Sequence, residues 1–163
     1  MHDKSTGIRV LALLEGRWTG SGRGQFPGVT SFVFRETLMF TRRDDKNVAY
    51  EQRTQKLYDG QTEYIPSHWE SGFISILENG DLQLVNVQVG GRNEVLVGTV
   101  EAINDKFRIR FVSRVVNNDP RMVSSGRTLE LAGDTLRYEM EMQTIKVDQS
   151  TLHLSIALER IRS

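Results

Sequence analysis

Cysteine is absent from this chain of 163 residues, and histidine and proline occur only three times each. Without cysteine there are no disulfides, thiolate metal sites or cysteine nucleophiles. Net charge is missing as well: 21 basic residues balance 21 acidic ones, so no net field attracts nucleic acid or an anionic membrane. The apolar stretch 8–14 is interrupted by Arg9 and is too short for a signal peptide or a membrane span. We therefore expect a cytoplasmic protein.

Sequence motifs of common catalytic sites are missing too. There is no HExxH zinc motif, no serine-nucleophile elbow and no pair of carboxylates at a telling spacing, which leaves classical hydrolysis without support. If the chain carries out chemistry, we expect a bound cofactor to supply it.

The length fits one domain, 1–163, with an N-terminal segment 1–15 ahead of a barrel 16–163. Apolar residues at helical spacing in 8–14 predict a short helix that closes one end of the structure. From residue 31 onward, alternating segments are separated by turn residues, as in an all-antiparallel barrel or sandwich. After a first strand around Trp18, the predicted strands are 31–40, 47–58, 68–77, 82–89, 94–102, 107–114, 122–131, 135–145 and 150–161. We predict an all-β fold, an up-and-down antiparallel β-barrel of about ten strands.

The first strand carries a glycine at every second position behind Trp18. Because side chains alternate between the two faces of a strand, Gly20, Gly22 and Gly24 leave one face bare. Such a face marks a sharp bend or the close approach of another backbone or a ligand. A phosphate-binding loop is excluded, because its glycines follow a strand and precede a helix.

Alternation in later strands predicts a partly polar interior. One face of 135–144 consists of Leu136, Tyr138, Met140 and Met142, and we expect it to point inward. The same rule places Glu36 inside with Phe34, and Gln52 and Thr54 inside with Tyr50. Buried polar groups need partners, so we expect an enclosed cavity that holds water or a small ligand.

The orientation of His153 is left open by its strand. The face that His153 shares with small residues alternates with an aliphatic face, Leu152, Leu154, Ile156 and Leu158. If the aliphatic face is the core, His153 points to solvent. If a second subunit covers that face, His153 points inward, where a lone imidazole suits an axial haem ligand.

Three further side chains are candidates for the cavity. His68 is either a strand-end histidine bound to a loop or a donor to a bound anion near neutral pH. Gln88, just before a glycine turn, is a candidate uncharged donor. Met142 is either plain core or a thioether contact in an adaptable apolar pocket.

Taken together, these motifs resemble the nitrobindin family, small haem-binding β-barrels similar in shape to lipocalins and fatty-acid-binding proteins. The opening signature Gly-x-Trp-x-Gly-x-Gly-x-Gly-x-aromatic-Pro is matched throughout 16–27, including Phe26 and Pro27. Further matches are 50–54, 68–73, 134–138 and the terminal pair His153-Leu154. The resemblance extends over roughly 11–160, nearly the whole chain.

The resemblance implies that His153 is the proximal ligand to the iron of haem b. The other pocket positions that it assigns are His68, Gln88 and Met142. It implies a ferric haem that binds nitric oxide and an enzyme that isomerises peroxynitrite to nitrate. Three positions depart from the family pattern, Gly28 in place of threonine, Leu152 in place of proline and Ser75 in place of a frequent arginine, and we expect haem binding with altered affinity.

Other functions are compatible with the same barrel. One is a non-catalytic carrier of a fatty acid or another small hydrophobic ligand; such carriers hold the carboxylate with buried arginine and tyrosine, whereas charged residues here are predicted to face mostly outward. Another is a partner-binding module whose exposed last strand pairs with another chain. The aliphatic stripe on that strand also predicts a homodimer through it, because four exposed aliphatic side chains in a row are unusual on a monomer.

Overall fold

The structure is a computed structural model that describes residues 3–24 and 31–162. A helix, α1 (Lys4–Leu14), precedes the strands. These are β1 (Gly16–Gly24), β2 (Phe32–Arg42), β3 (Asn47–Leu57), β4 (Ile65–Ile76), β5 (Leu82–Gln88), β6 (Asn93–Ile103), β7 (Lys106–Asn117), β8 (Met122–Ala132), β9 (Thr135–Thr144) and β10 (Thr151–Ile161). The predictions about Phe26, Pro27 and Gly28 lie outside the described residues.

Each strand pairs antiparallel with the next, and β1 pairs with β10, which closes the barrel. The predicted ten-stranded up-and-down barrel with an N-terminal helix is therefore confirmed. The predicted turn residues reverse the chain with positive φ values at Gly60, Gly80, Gly90, Asn104 and Gly133, among others. No helix in the described part of the chain combines the length and apolar character needed to cross a membrane.

One barrel end is closed by α1. Asp3 caps the helix by accepting a hydrogen bond from the Ser5 amide at 2.9 Å. Leu11 and Leu14 are buried as the helical spacing predicts, but Ile8 is 37% exposed and Val10 is buried in its place. The inward face of α1 is therefore rotated slightly from the one that the apolar spacing indicates.

A contact between the two chain ends holds α1 on the barrel. The indole Nε1 of Trp18 donates to the Leu14 carbonyl at 2.9 Å, and the Arg160 guanidinium lies 4.2 Å from the centroid of the Trp18 ring. Arg160 also donates to the carbonyls of Leu13 and Glu15, two of the acceptors that a helix leaves unpaired at its C-terminus. The last strand therefore caps the first helix.

The glycine face of β1 is explained by close approach. A Cβ atom on Gly24 would overlap the ring of Phe32, and one on Gly22 would lie 2.7 Å from Cζ of Phe34. A Cβ atom on Gly20 would overlap the Ala157 carbonyl of β10. The alternating glycines therefore make room for two interior aromatic rings and for the strand that closes the barrel.

Side chains that alternation directs inward are buried, including Tyr138, Met140 and Met142. The interior also contains a polar layer, which we define as the buried side chains Glu36, Tyr50, Gln52, Glu70, Asn86, Gln88, Glu94, Arg127 and Tyr138. The prediction that Glu36, Gln52 and Thr54 lie inside is confirmed. We call the end of the barrel opposite α1 the open end; the cavity described below lies there.

Strand β10 contradicts the strict alternation that the sequence suggests. Between Leu152 and Leu154 the register of β10 against β9 shifts because of a β-bulge. Because of this shift, both His153 and the aliphatic residues Ile156 and Leu158 point inward. Ile156 and Leu158 are buried in the core, and only Leu152 is exposed. The predicted aliphatic stripe is therefore wrong, and the homodimer through β10 stays a prediction without that support.

Candidate functional site

A cavity of about 400 Å³ occupies the open end of the barrel. This volume falls within the range of roughly 300 to 1,000 Å³ that is typical of small-molecule sites. Its apolar wall is formed by Phe32, Phe34, Met140, Met142 and Leu154. Strand alternation positions the phenylalanines of β2 and the methionines of β9, and the bulge in β10 brings Leu154 to the wall beside His153.

His153 lies in the wall of this cavity and is only 3% exposed. Its Nε2 is 3.1 Å from the Thr151 hydroxyl. Burial lowers the pKa of His153, and a hydrogen bond with the Met142 backbone offsets part of that effect. The imidazole is therefore uncharged at neutral pH, the form that binds metal ions.

His68 lies across the cavity from His153. The strands that carry them, β4 and β10, are separated around the barrel by β1, β2 and β3. The His68 Nε2 lies 2.9 Å from Oε2 of Glu70, two residues along the same strand. Because an ionised carboxylate only accepts hydrogen bonds, this contact places the hydrogen of His68 on Nε2.

Glu70 is fully buried at the centre of the polar layer. Arg127 donates to both of its carboxylate oxygens, at 2.5 and 3.1 Å, and the Tyr50 hydroxyl donates at 2.8 Å. Burial by itself would raise the pKa of Glu70, but the Arg127 charge and the hydrogen bonds from His68 and Arg127 outweigh it and hold that pKa well below its usual range. Glu70 is therefore ionised and fixes the orientation of His68.

Gln88 lies inside the barrel, within the polar layer. Its Nε2 donates to Glu94 at 3.1 Å, and its Oε1 accepts from Arg92 at 2.8 Å. Among the described residues, the cavity lining includes His153, His68 and Met142 but not Gln88. The structure thus brings together three of the four side chains assigned from the family resemblance, while the ligand role of each stays a prediction.

Glu36 forms the second acidic centre of the polar layer. Its carboxylate accepts hydrogen bonds from Gln52 Nε2 at 2.8 Å, from Thr54 Oγ1 at 2.9 Å and from the Tyr138 hydroxyl at 2.9 Å. Burial raises the pKa of Glu36 to about 7, although these hydrogen bonds lower it in part. Gln52 and Thr54 also line the cavity, so this carboxyl group lies directly behind the cavity wall.

The mouth of the cavity is more basic than acidic. Its charged lining residues are Lys56, Arg92, Asp119, Arg121 and Lys146. Asp119 accepts hydrogen bonds from Arg121 and lies 3.6 Å from an Arg92 nitrogen. The remaining positive charge favours a ligand that carries carboxylates or another anionic group at the mouth.

The donors in this cavity suit a haem. The described residues contain no cluster of three or more histidine or acidic side chains placed for a metal ion. A haem iron needs only one axial protein ligand, since the porphyrin supplies the others, and His153 offers a single uncharged imidazole beside an apolar wall. The residues present therefore fit this group.

Comparison with known proteins agrees with this site. A family model described as "THAP4-like, heme-binding beta-barrel domain" matches residues 7–160. The chain belongs to this family. The resemblance to nitrobindins that the sequence motifs indicate is thereby confirmed, and the family is one of haem-binding β-barrel domains.

Several relatives of this nitrobindin-family barrel carry an enzyme name. An Arabidopsis thaliana protein named peroxynitrite isomerase Rv2717c is 31% identical over 94% of this chain and 89% of its own length. A Nocardia farcinica peroxynitrite isomerase is 30% identical over 94% and 90%. The crystal structure of Rv2717c from Mycobacterium tuberculosis matches with a TM-score of 0.83 at 27% identity, covering 95% of this chain and 97% of that one.

Sequence patterns did not lead us to the ion pair between Glu70 and Arg127. Alternation carries the signal for it, because Glu70 shares a face with His68, and Arg127 shares one with Leu129. Both are charged residues on inward faces. The bulge in β10 has no such signal, because nothing in the composition of 150–158 marks the extra residue.

Proposed function

We propose that the chain binds a ferric haem b through His153, binds nitric oxide and isomerises peroxynitrite to nitrate. The observation that carries this proposal is the buried, uncharged imidazole of His153 in the wall of an apolar cavity of about 400 Å³. Membership of a haem-binding family supports the cofactor. The names of the relatives support the reaction.

The residues of the cavity have separate roles in this proposal. His153 would hold the iron, the two phenylalanines and two methionines of the wall would pack against a flat ring, and the basic mouth would attract its carboxylates. A ferric haem supplies a Lewis-acidic iron with an open position for a nitrogen oxide. The apolar wall excludes bulk water from the bound anion, which strengthens the polar contacts made to it.

His68 would orient the nitrogen oxide. The carboxylate of Glu70 holds its ring through Nε2, so Nδ1 is the ring nitrogen left for the ligand. Nδ1 would donate to an anionic nitrogen oxide in the imidazolium form of His68, in which both ring nitrogens carry a hydrogen. Because Glu70 is itself fixed by Arg127 and Tyr50, the imidazole is held in place before the ligand arrives. Such preorganisation avoids a reorientation during the reaction.

Hemin titration tests the ligation. The chain should take up hemin and give a Soret band, and His153→Ala should weaken that uptake by at least about tenfold, since an axial bond is lost. His68→Ala, which removes the other cavity imidazole, is the matched control and should keep the uptake. Added imidazole should restore the wild-type spectrum to His153→Ala. If that variant binds hemin as the wild type does, with the same spectrum, the assignment of His153 is wrong.

Two measurements on the hemin-loaded chain test the chemistry. Nitric oxide should shift the Soret band of the ferric protein. Stopped-flow mixing with peroxynitrite should show faster decay than with the haem-free chain, with a larger share of nitrate among the products. Equal decay rates for the loaded and haem-free chains would contradict the isomerase proposal and leave a haem carrier.

The second candidate, a fatty-acid carrier, is favoured by one feature of the interior. The barrel contains a buried arginine, Arg127, and Tyr50 and Tyr138 line the same small interior pocket. The terminal nitrogens of Arg127, however, are already bound to Glu70 and Glu94, so a fatty-acid carboxylate would have to displace a resident one. Tight binding of a fatty acid without hemin uptake would reverse our preference.

A further inference from the structure

We propose that Glu36 takes up a proton when a small anion binds in the cavity, and that this glutamate thereby sets the affinity of the site for anions. The inference rests on the proposed function and deepens it, because peroxynitrite and nitrate are both anions. Neither the family nor the names of the relatives assign a role to this residue.

The geometry places Glu36 one side chain away from the cavity. Its Oε2 accepts from Thr54 Oγ1 at 2.9 Å and from Gln52 Nε2 at 2.8 Å, and both donors line the cavity. From the far side, the Tyr138 hydroxyl lies 2.9 Å from each carboxylate oxygen. Glu36 itself is only 2% exposed. A charge on this group is therefore felt in the cavity with little screening by water.

The partners of Glu36 do not neutralise it. Among the described residues, the donors that bind it are all uncharged, namely Gln52, Thr54 and Tyr138. From the packed strands, the titratable or charged groups that act on it are Tyr138 on β9 and the ionised Glu70 on β4, which repels it. The charge of Arg127 on β8 is paired with Glu70 and Glu94. On its other side, β1 presents Gly20.

Two like charges in this interior disfavour each other. Burial and the repulsion from Glu70 already raise the pKa of Glu36, and an anion in the cavity adds a second repulsion of the same sign. The coupling is reciprocal: protonation of Glu36 strengthens anion binding by the same factor by which the anion strengthens protonation. For charges on the order of 10 Å apart at an effective dielectric constant of about 20, the factor is roughly tenfold.

The proton balance is simple. At a pH where Glu36 is ionised, one anion enters the cavity and one proton from solvent binds to the carboxylate, so the interior gains no net charge. When the anion leaves, the proton returns to solvent. No covalent bond of the ligand changes in this step.

The first experiment uses the haem-free chain and does not depend on the proposed function. Carbon-13 NMR of glutamate-labelled protein gives the titration of the Glu36 carboxyl, assigned by its loss in Glu36→Gln. A midpoint near neutrality supports the proposal. A midpoint below about 5, in the ordinary range of a glutamate, overturns it whether or not hemin binds.

The second experiment uses the hemin-loaded chain, with azide as the anionic probe and nitric oxide as the neutral one. From pH 6 to pH 8 the azide affinity should decrease in both proteins, and the decrease in the wild type should exceed that in Glu36→Gln by a factor of roughly ten. The affinity for nitric oxide should change equally in the two proteins. Glu139→Gln, which removes an exposed glutamate of β9, is the matched control and should behave like the wild type.

The outcomes separate the two proposals. If Glu36→Gln shows the same pH dependence of azide affinity as the wild type, Glu36 only fills and holds the core, and the inference fails while haem binding stands. If the chain takes up no hemin, the proposed function fails, and the NMR midpoint alone decides whether Glu36 holds a proton at neutral pH.

Discussion

Glu36 and Glu70 are two glutamates of the same polar layer, both buried and both fully hydrogen-bonded, yet they differ in charge. Glu70 has a guanidinium on both oxygens, and this charge holds its pKa well below the usual range although burial opposes it. Glu36 has only neutral donors, and burial raises its pKa to about 7. Burial alone therefore does not decide the charge of an interior carboxyl group; the charge of its partners does.

The two carboxyl groups serve the cavity differently. Glu70 is a fixed anion that holds His68 through a 2.9 Å contact and keeps that contact at any pH where the protein is folded and Glu70 ionised. Glu36 can change its charge near neutral pH, directly behind Thr54 and Gln52 in the cavity wall. One glutamate positions a side chain, and the other responds to what the cavity holds.

Removal of Arg127 should have the largest effect. Arg127→Met leaves the carboxylate of Glu70 buried without its cation, which typically costs about 3–5 kcal/mol in the free energy of unfolding. Urea unfolding at pH 7 measures this cost. Arg108→Met breaks an ion pair with Glu130 in which both side chains are about half exposed. This change should lower the free energy of unfolding by less than about 1 kcal/mol.

A double variant sharpens the same test. Glu70→Gln combined with Arg127→Met removes both charges, so it should cost clearly less than the sum of the two single changes. Additive costs, or a loss below about 1 kcal/mol for Arg127→Met alone, would show that this ion pair does not hold the charge of Glu70.

Much of this architecture follows from local patterns. The ten strands, the turns and the inward face with Tyr138 and Met142 are confirmed, because each depends on alternation or on a residue that tolerates positive φ. Glu36 was placed inside by alternation as well. Its charge could not be predicted, since that depends on how completely the fold buries it and on donors from other strands, such as Tyr138, which lies 102 positions away along the chain.

The orientation of His153 cannot be predicted from the residue pattern of its own strand. Strict alternation allows either His153 or the aliphatic residues to face inward, and a second subunit was needed to choose the histidine. The bulge between Leu152 and Leu154 removes this conflict. A bulge depends on the pairing of β10 with β9 and not on the residue types of one strand, so the sequence of the strand alone does not reveal it.

The pH dependence of stability separates the two glutamates. The fold raises the pKa of Glu36 from 4.5 to about 7, so the folded state holds the proton more tightly than the unfolded chain. The free energy of unfolding should therefore fall as pH rises from 4.5 to 7, by roughly 3 kcal/mol. Urea unfolding between pH 5 and 8 should show this fall in the wild type and not in Glu36→Gln.

Glu70 affects stability in a lower pH range and with the opposite sign. Its pKa is lowered in the folded state from 4.5, so its contribution is present above pH 4.5 and is lost as pH falls below that value. A wild type and a Glu36→Gln variant with parallel pH curves between 5 and 8 would mean that Glu36 is ionised in the fold like Glu70, and the contrast between them would disappear.

The smallest expected effect comes from the two tyrosines, which form a matched pair. Tyr138→Phe removes one of three donor residues from Glu36, so the ionised form is less stabilised and the pKa of Glu36 should rise further, by roughly one pH unit. Tyr50→Phe removes a donor from Glu70, but Arg127 and His68 remain, so Glu70 should stay ionised. Carbon-13 NMR of each variant reports the titration of both carboxyl groups, Glu36 and Glu70, in one sample. If Tyr50→Phe shifts the pKa of Glu70 as far as Tyr138→Phe shifts the pKa of Glu36, hydrogen bonds and not the guanidinium determine the charge of both carboxyl groups.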